Sequence, residues 1–235
     1  MRGAGALIAW LALAVPVGAQ AVQTLPYDAL APLLSGRADF DDLPALPEPG
    51  HNLDHGYATA GARLGERFAG QALRMAPGPE NGLHDGVTGR PTAPLTLETG
   101  APDAGLSVSF HRAFRSNAVY PLGPRRWPVP EGRGEGALAI WLARDACAVA
   151  LRLHTEYVDA LGRNADHVGD VTVTFYARDG RKLARLRHAP GGGITGYGYL
   201  RAGQTADIAG ITVTNLDKGG IALDDIRFGC VPLTG

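Results

Sequence analysis

The stretch DVTVTFYARDGRKLARLRH, residues 170–188, decides the fold class of this 235-residue chain. Within it a β-strand is predicted over Asp170–Ala177, because Val171, Val173 and Phe175 alternate with Thr172, Thr174 and Tyr176 and this period of two gives the strand one buried face. The turn Arg178-Asp179-Gly180 follows, and Asp-Gly between two strand-like runs is a strong hairpin signal. The return strand is predicted over Lys182–His188, although its two leucines are out of strict phase. The segment therefore predicts an antiparallel hairpin.

Similar short runs, separated by Gly, Pro, Asn and Asp, fill most of the chain from Phe40 onward. Further strands are predicted over Gly105–His111, Ala137–Leu142 and Cys147–His154. A second hairpin is predicted to close the chain, with Ile208–Thr214 and Ile221–Phe228 joined by the turn NLDKGG. Residues 77–105 are polar and rich in Pro and Gly, which predicts a long loop. Together these features predict an all-β fold, an antiparallel β-sandwich of the jelly-roll-like type.

The first residues have the order of a secretory signal peptide. Arg2 precedes the apolar run Ala6–Val15, and small residues follow up to Ala21. The run is shorter than the roughly 18 to 20 residues that a membrane span needs. We therefore expect a signal peptide over residues 1–21, cleaved after Ala19 or Ala21, a lead-in segment with a short helix over 22–39, and one sandwich domain over 40–235. The protein is expected to be secreted or periplasmic, with no membrane insertion once the signal is removed.

The chain has two cysteines, Cys147 and Cys230. In an oxidising compartment such a pair is expected to form one disulfide. The alternative is two free thiols, one of them reactive. Neither cysteine lies in a CxxC motif or a Cys/His cluster, which favours the disulfide.

Charge and motifs narrow the classes of function. With 22 Lys and Arg against 23 Asp and Glu, the formal net charge is -1, which predicts no nucleic-acid partner. The sequence contains no GxSxG, HExxH or GxxxxGK[ST] motif, and we predict that the protein is not an enzyme. A glycosidase needs only two carboxylates and no local motif, so a hydrolase using Asp54, Asp85 or Glu156 stays open as the less favoured alternative.

Two groups of residues raise the possibility of a metal. His51, Asp54 and His55 lie within five residues and are read either as a zinc site or as a polar turn. The acidic pairs are Asp41-Asp42 near the first strand and Asp224-Asp225 on the last. If Ile226 and Phe228 face the core, strand parity places Asp224 on the same face, where it needs a partner or a cation.

Because the first and last strands of a sandwich are often neighbours, the acidic pairs Asp41-Asp42 and Asp224-Asp225 are expected to come together. Carboxylate oxygens of this kind suit Ca²⁺, which is the cofactor we consider. The alternative is that these residues cap turns and accept hydrogen bonds from backbone N–H groups.

Several segments resemble a group of exported bacterial β-sandwich proteins, many of which carry a PEP-CTERM sorting tail. They are FDDL at 40–43, GERFAG at 65–70, VTVTFYARDG at 171–180, DIAGITVTN at 207–215 and GGIALDDIRF at 219–228. The closing GGIALDDIRFGC also resembles the end of MAM domains, which implies a jelly-roll sandwich with a cation site near Asp224 and Asp225. The sequence ends in VPLTG without the sorting tail, so we expect release rather than anchoring.

These observations predict a secreted, non-enzymatic binding module for glycan or another extracellular surface component. Fold analogy is the reason for choosing glycan. Aromatic residues in Gly/Pro-rich segments are the candidate sugar platform, although each is also readable as a packing residue: Tyr120, Trp127, Tyr197 and Tyr199. The alternative is a structural or adhesive matrix protein with no small ligand.

Overall fold

The computed structural model describes residues 21–232, apart from the side chain of Asn81. All of the expected signal peptide except Ala21 lies outside the described residues. The strands are β1 (Val22–Pro26), β2 (Gly36–Ala38), β3 (His51–Leu53), β4 (Tyr57–Thr59), β5 (Ala62–Gly65), β6 (Arg67–Phe68), β7 (Ala72–Pro77), β8 (Leu83–Thr88), β9 (Leu97–Glu98), β10 (Leu106–His111), β11 (Ser116–Pro121), β12 (Leu138–Ala146), β13 (Ala148–His154), β14 (Val171–Tyr176), β15 (Lys182–His188), β16 (Ile194–Arg201), β17 (Ile208–Asn215) and β18 (Ala222–Gly229). The helix α1 is Tyr27–Leu30, and 3₁₀ turns occupy Ala31–Leu33, Pro79–Asn81, Pro130–Gly132 and Ala202–Gln204.

Two antiparallel sheets enclose the core. Sheet A has the strand order β1-β16-β13-β18-β11-β10-β3, with β2 also paired to β18, and sheet B has the order β15-β14-β17-β12-β5-β4. Apolar side chains from the inner faces of both sheets form one buried cluster, which includes Val173 and Phe175 of sheet B and Val149 and Leu223 of sheet A. The predicted all-β, jelly-roll-like sandwich is confirmed. None of the helices among residues 21–232 is long and apolar enough to cross a membrane.

The β14–β15 hairpin is confirmed, and its register explains the leucines that are out of phase. Phe175 pairs with Ala184 and Tyr176 with Lys182, so Leu183 is the extra residue of a β-bulge. Gly180 in the turn has φ 74°, a conformation that glycine adopts without strain. The bulge restores the phase, and Leu186 is buried in the core.

The predicted closing hairpin is wrong. β17 pairs with β12 and β14 in sheet B, whereas β18 pairs with β13, β11 and β2 in sheet A. Both strands have an apolar face, but Ile211 and Leu223 meet the same core from opposite sides. Periodicity shows which face of a strand is buried and does not show its partner. The segment between the strands therefore crosses from one sheet to the other.

The segment 22–39, expected as a lead-in, contains the short helix α1. Its first strand, β1, pairs along its whole length with β16, and β2 pairs with β18. Val22 and Ala38 are fully or almost fully buried in the core cluster. The segment is therefore built into sheet A.

The disulfide between Cys147 and Cys230 is confirmed, with 4.7 Å between the Cα atoms. Cys147 immediately precedes β13 and Cys230 immediately follows β18, so the bond joins two neighbouring strands of sheet A at one end. Residues 77–105, predicted as one long loop, contain β8 and β9. The β7–β8 hairpin packs over β17, and this contact forms the site described next.

Candidate functional site

A groove runs across the outer face of sheet B, beneath the β7–β8 hairpin. Its larger part has a volume of about 690 Å³, and a smaller part of about 290 Å³ shares four of its lining residues, among them Gly86 and Thr172. We call this cavity the sheet-B groove. Strands β14 and β17 form its floor, β15 forms one wall, and residues 86–91 form the other.

Threonines cover the floor of the sheet-B groove. Thr172 lies opposite Thr214, and Thr174 lies opposite Thr212, so two cross-strand pairs repeat every second residue. Thr174 and Thr212 are buried at the bottom of the groove. None of the four hydroxyls has a hydrogen-bond partner in the described part of the chain. The floor therefore presents a regular set of hydroxyl donors and acceptors.

The rim of the groove is cationic. Arg187 donates two hydrogen bonds to Asp170, at 2.8 and 2.6 Å, and is neutralised by it. Three other cations of the rim are exposed and have no carboxylate partner among residues 21–232: Arg90, Lys182 and Arg185. Each stands on a wall of the groove. Unpaired cations above a hydroxyl-lined floor suit a polar ligand that carries negative charge.

Local packing holds the two ends of the groove in place. Gly210 lets the Phe68 ring lie on β17, because a Cβ there would approach the ring to 2.6 Å. Phe68 contacts Tyr176 edge-on, and Gln71 donates a hydrogen bond to the Tyr176 hydroxyl at 3.0 Å. At the β14–β15 turn, a Cβ on Gly180 would approach the carbonyl oxygen of Pro91 to 2.6 Å. Both glycines therefore permit the close contacts that fix the groove.

Asp85 on β8 lies where the smaller part of the groove meets a neighbouring cleft that also contains Glu66. Burial raises the pKa of Asp85 to about 7, with further contributions from the charges of Glu66 and Glu135. Of the other carboxylates considered for a hydrolase, Asp54 accepts a hydrogen bond from the Asp103 N–H, and Glu156 lines a pocket on sheet A. The three are not brought together in one cavity.

The four aromatic residues considered as a sugar platform do not form one surface, although Tyr197 and Tyr199 stack with 6.2 Å between ring centroids. Tyr199 is fully buried in the core cluster between the sheets and is a packing residue. Tyr197 is half-buried beside it, with its ring 4.2 Å from that of His188. Trp127 is half-buried in the loop after β11. Tyr120 is buried on the outer face of sheet A, beneath the Arg133 guanidinium.

Asp224 lies on the outer face of sheet A, and the expectation that it faces the core is wrong. Arg152 pairs with Asp224 but Ala150 pairs with Arg227, so β18 contains a β-bulge at this point. Asp225 has φ 50°, and the bulge reverses the parity between Asp224 and Ile226. Because a bulge inserts one residue, parity counted from Ile226 gave the opposite face.

Each of the four acidic residues considered for calcium has a protein partner. Asp224 accepts hydrogen bonds from the Ser116 hydroxyl and the Asp225 N–H, both at 2.6 Å. The carboxylates of the other three contact, respectively, the Asn117 N–H, the Tyr57 hydroxyl and the Arg152 guanidinium: Asp41, Asp42 and Asp225. Burial raises the pKa of Asp224 to about 7, and the charges of Asp225 and Asp41 add to this effect.

Of the residues considered for zinc, His51 and Asp54 have other partners. The Nε2 atom of His51 is 2.8 Å from the carbonyl oxygen of Pro44, and His55 is exposed. No group of three or more His, Cys, Asp or Glu side chains within residues 21–232 is arranged to hold a metal ion.

Sequence reasoning missed the threonines and cations of the groove. The alternation in Val171–Tyr176 identified the polar face of β14, and Lys182–His188 showed a basic strand beside it. The sequence pattern did not predict that the β7–β8 hairpin packs over that face and converts it into a groove.

Comparisons with known proteins add little. No protein-family model and no curated protein matches this chain. Among solved structures, the CBM22-1 and GH10 modules of Clostridium thermocellum endo-1,4-β-D-xylanase 10B, complexed with xylohexaose, are similar over 85% of this chain and 28% of that one. The TM-score is 0.30 and the sequence identity 10%, a similarity that supports no conclusion about function.

Proposed function

We propose that this protein is a non-enzymatic binding module that holds a strand of acidic polysaccharide in the sheet-B groove. The observation that carries the proposal is the pairing of four unpartnered threonine hydroxyls on the floor with unpaired cations on the rim. Sugar hydroxyls can exchange hydrogen bonds with the threonines, and carboxylate or sulfate groups can contact Arg90, Lys182 and Arg185. The groove is long enough to follow several sugar units, since two residues of a strand span roughly 7 Å.

The charge of the chain and of the groove favours an acidic polysaccharide over nucleic acid as the ligand. The formal net charge of the whole chain is -1, and three unpaired cations are few for a surface that tracks a phosphate backbone. A floor of hydroxyls is better matched to a ligand that is itself rich in hydroxyl groups. An acidic glycan combines such groups with the negative charge that the rim attracts.

Binding of polygalacturonate, alginate and chondroitin sulfate, with xylan as a neutral comparison, tests the proposal by affinity electrophoresis and calorimetry. We expect at least one acidic polymer to bind, with an affinity that falls as salt rises. The double variant Lys182→Ser/Arg185→Ser should lose at least tenfold in affinity. Arg63→Ser is the matched control, because Arg63 is an exposed arginine on β5 of the same sheet, outside the groove.

Equal binding by wild type and the double variant would contradict the groove as the site. Binding to no glycan would favour the alternative of a structural or adhesive matrix protein. Release of reducing sugar from a bound polymer would favour the hydrolase alternative, with Asp85 as the first carboxylate to replace.

Export is part of this proposal. The Cys147–Cys230 disulfide supports it, because structural disulfides persist in oxidising compartments. The relationship to exported proteins of the PEP-CTERM type stays a prediction.

Calcium binding by the acidic pairs is a separate proposal, supported by the proximity of Asp41 to Asp224. If Ca²⁺ binds the folded state, the melting temperature should rise with Ca²⁺ and fall with chelator, and Asp224→Ala should remove that dependence. Superimposed melting curves would leave these residues as hydrogen-bonded turn residues.

A further inference from the structure

A second pocket lies on the outer face of sheet A, on the side of the sandwich opposite to the sheet-B groove. Its volume is about 220 Å³. We call it the sheet-A pocket. Tyr120 and His154 point outward, because their strand neighbours Val119 and Leu153 face the core. His111 lies on the same face, with its ring 4.5 Å from that of His154. Arg133, Tyr157 and the turn before β18 complete the walls.

Aromatic rings form one side of the sheet-A pocket. The His111 ring is stacked on Tyr157, with 5.5 Å between centroids and 13° between planes. The His154 ring packs against both, at 4.5 Å from His111 and 4.2 Å from Tyr157. Tyr157 is nevertheless 48% exposed. One face of its ring is therefore supported by the protein, while the rest is open to stack on the apolar face of a ligand ring.

Hydrogen bonding orients the Tyr157 hydroxyl as a donor. The backbone N–H of Phe114 donates to Nδ1 of His111 at 3.3 Å, so in the neutral ring the proton is on Nε2. That Nε2–H donates to the Tyr157 oxygen at 3.2 Å. The hydroxyl hydrogen of Tyr157 is then left for a further acceptor. Burial lowers the pKa of His111 to about 3 and that of His154 to about 4, so both rings are neutral at pH 7.

Two more polar groups of the sheet-A pocket lack partners. The Tyr120 hydroxyl and Nε2 of His154 are buried without a hydrogen bond to any described residue. Buried polar atoms are almost always satisfied by protein, water or ligand. The unmet hydrogen bonds lie beside the open ring face of Tyr157, which is the combination a hydroxylated ring requires.

The two cations around the sheet-A pocket are paired, in contrast to those of the groove. Arg133 forms a salt bridge with Glu48 at 2.5 Å and lies 4.1 Å above the Tyr120 ring centroid. Lys218 forms a salt bridge with Glu80 at 2.9 Å. The remaining charged side chain, Glu156, accepts a hydrogen bond from the Asn164 amide at 3.2 Å and has no cationic partner among residues 21–232. Paired cations and one carboxylate give an anion little reason to bind, and a carboxylate accepts hydrogen bonds from the hydroxyls of a neutral ligand.

We propose that the sheet-A pocket binds a single neutral sugar ring, which stacks on Tyr157 and exchanges hydrogen bonds with Tyr157, His154 and Tyr120. A cavity of about 220 Å³ admits one such ring rather than a chain. This site does not depend on the sheet-B groove, and the two are tested separately. With both sites filled, the protein holds a neutral sugar on one face and an acidic polysaccharide on the other.

The test uses saturation-transfer NMR on the full chain without its first 21 residues. The probes are the methyl glycosides of glucose, galactose, mannose and N-acetylglucosamine. We expect at least one probe to show saturation of its ring protons and to bind at least tenfold more weakly to Tyr157→Ala and to His154→Gln. Leu161→Ala is the matched control, since Leu161 is a 78% exposed residue of the same loop that does not line the pocket.

The groove variant Lys182→Ser/Arg185→Ser should bind the methyl glycosides like wild type. Absence of saturation with all four probes would overturn the proposal, as would unchanged binding by Tyr157→Ala or loss of binding in the groove variant. Because Tyr157 is half-exposed, its alanine variant remains informative even if His154→Gln does not fold.

Discussion

Thr174 on β14 lies directly opposite Thr212 on β17, at the bottom of the sheet-B groove. Their side chains stand on the outer face of a sheet whose inner face, at the neighbouring Val173 and Val213, is core. A threonine in this position has the strand-favouring shape of valine and adds one hydroxyl. The pair therefore separates two roles, since its shape maintains the strand and its hydroxyls are available to the proposed polysaccharide.

Replacing both residues, Thr174→Val and Thr212→Val, should weaken binding of an acidic polysaccharide without destabilising the fold. Each lost hydrogen bond is worth about 0.5–1.5 kcal/mol, which for two bonds corresponds to roughly tenfold or more in affinity. Calorimetry measures the affinity, and urea unfolding measures the stability. Thr195→Val on β16 is the control outside the groove. An unchanged affinity would mean that the ligand does not reach the floor.

The disulfide should supply a large share of the stability. Cys147 and Cys230 are 83 residues apart, and a loop of that length gives about 4.5 kcal/mol in the chain-entropy model. The double variant Cys147→Ser/Cys230→Ser should therefore unfold at a clearly lower urea concentration, with a steeper slope because the unfolded chain without the cross-link exposes more surface. Equal midpoints would show that neighbouring β13 and β18 hold this end of the sheet without the bond.

Local patterns predicted the strands well because a strand's alternation is written in its own residues. The strand predicted over Asp170–Ala177 contains β14, and the Asp-Gly turn forms the hairpin. The strands that pair with β17 and with β18 could not be predicted in this way, since the choice of partner depends on contacts between distant segments. The bulge at Asp225 could not be predicted either. It made the parity argument for Asp224 fail, because one inserted residue exchanges the faces of a strand.

Sites were harder to predict than strands. Tyr199 and Tyr120 looked alike in the sequence, but one packs in the core and the other lines a pocket on sheet A. The floor threonines read as ordinary exposed strand residues until the β7–β8 hairpin is placed above them. The hairpin itself lies partly in a stretch whose Pro and Gly content indicated a loop. A groove made by two distant segments has no signature within either of them.

Asp224 should make stability fall as pH rises. Its folded-state pKa is raised to about 7 from an ordinary value of 3.8, mainly by burial. The folded state therefore holds a proton that the unfolded state releases, so the contribution is full below about pH 4 and is lost as pH rises through 7. At pH 8 the cost is on the order of 4 kcal/mol.

Asp224→Asn should remove this dependence, because an amide stays neutral and still accepts the hydrogen bond from the Asp225 N–H. We expect the variant to match wild type near pH 4 and to exceed it near pH 8 in the free energy of unfolding. The readout is urea unfolding at both values, with chelator present to exclude bound Ca²⁺. A variant that is less stable than wild type at pH 8 would show that the carboxylate is ionised and well paired.

His154 should act in the opposite direction. Burial holds its pKa at about 4 in the folded state, against an ordinary value of 6.5, so the unfolded chain takes up a proton that the folded chain excludes. Stability from this group is full above about pH 6.5 and is lost as pH falls toward 4. Between pH 7 and pH 5 the loss amounts to about 2 kcal/mol for this histidine alone.

His154→Gln should reduce the difference between the unfolding free energies at pH 7 and pH 5 by that amount, whereas His55→Gln, at an exposed position, should leave it unchanged. The difference between the two variants isolates His154 from Asp224 and the other titrating groups, which are common to both. Equal pH dependence in the two variants would mean that the ring of His154 takes up its proton in the folded state, and the sheet-A pocket would then become charged as pH falls through about 6.5.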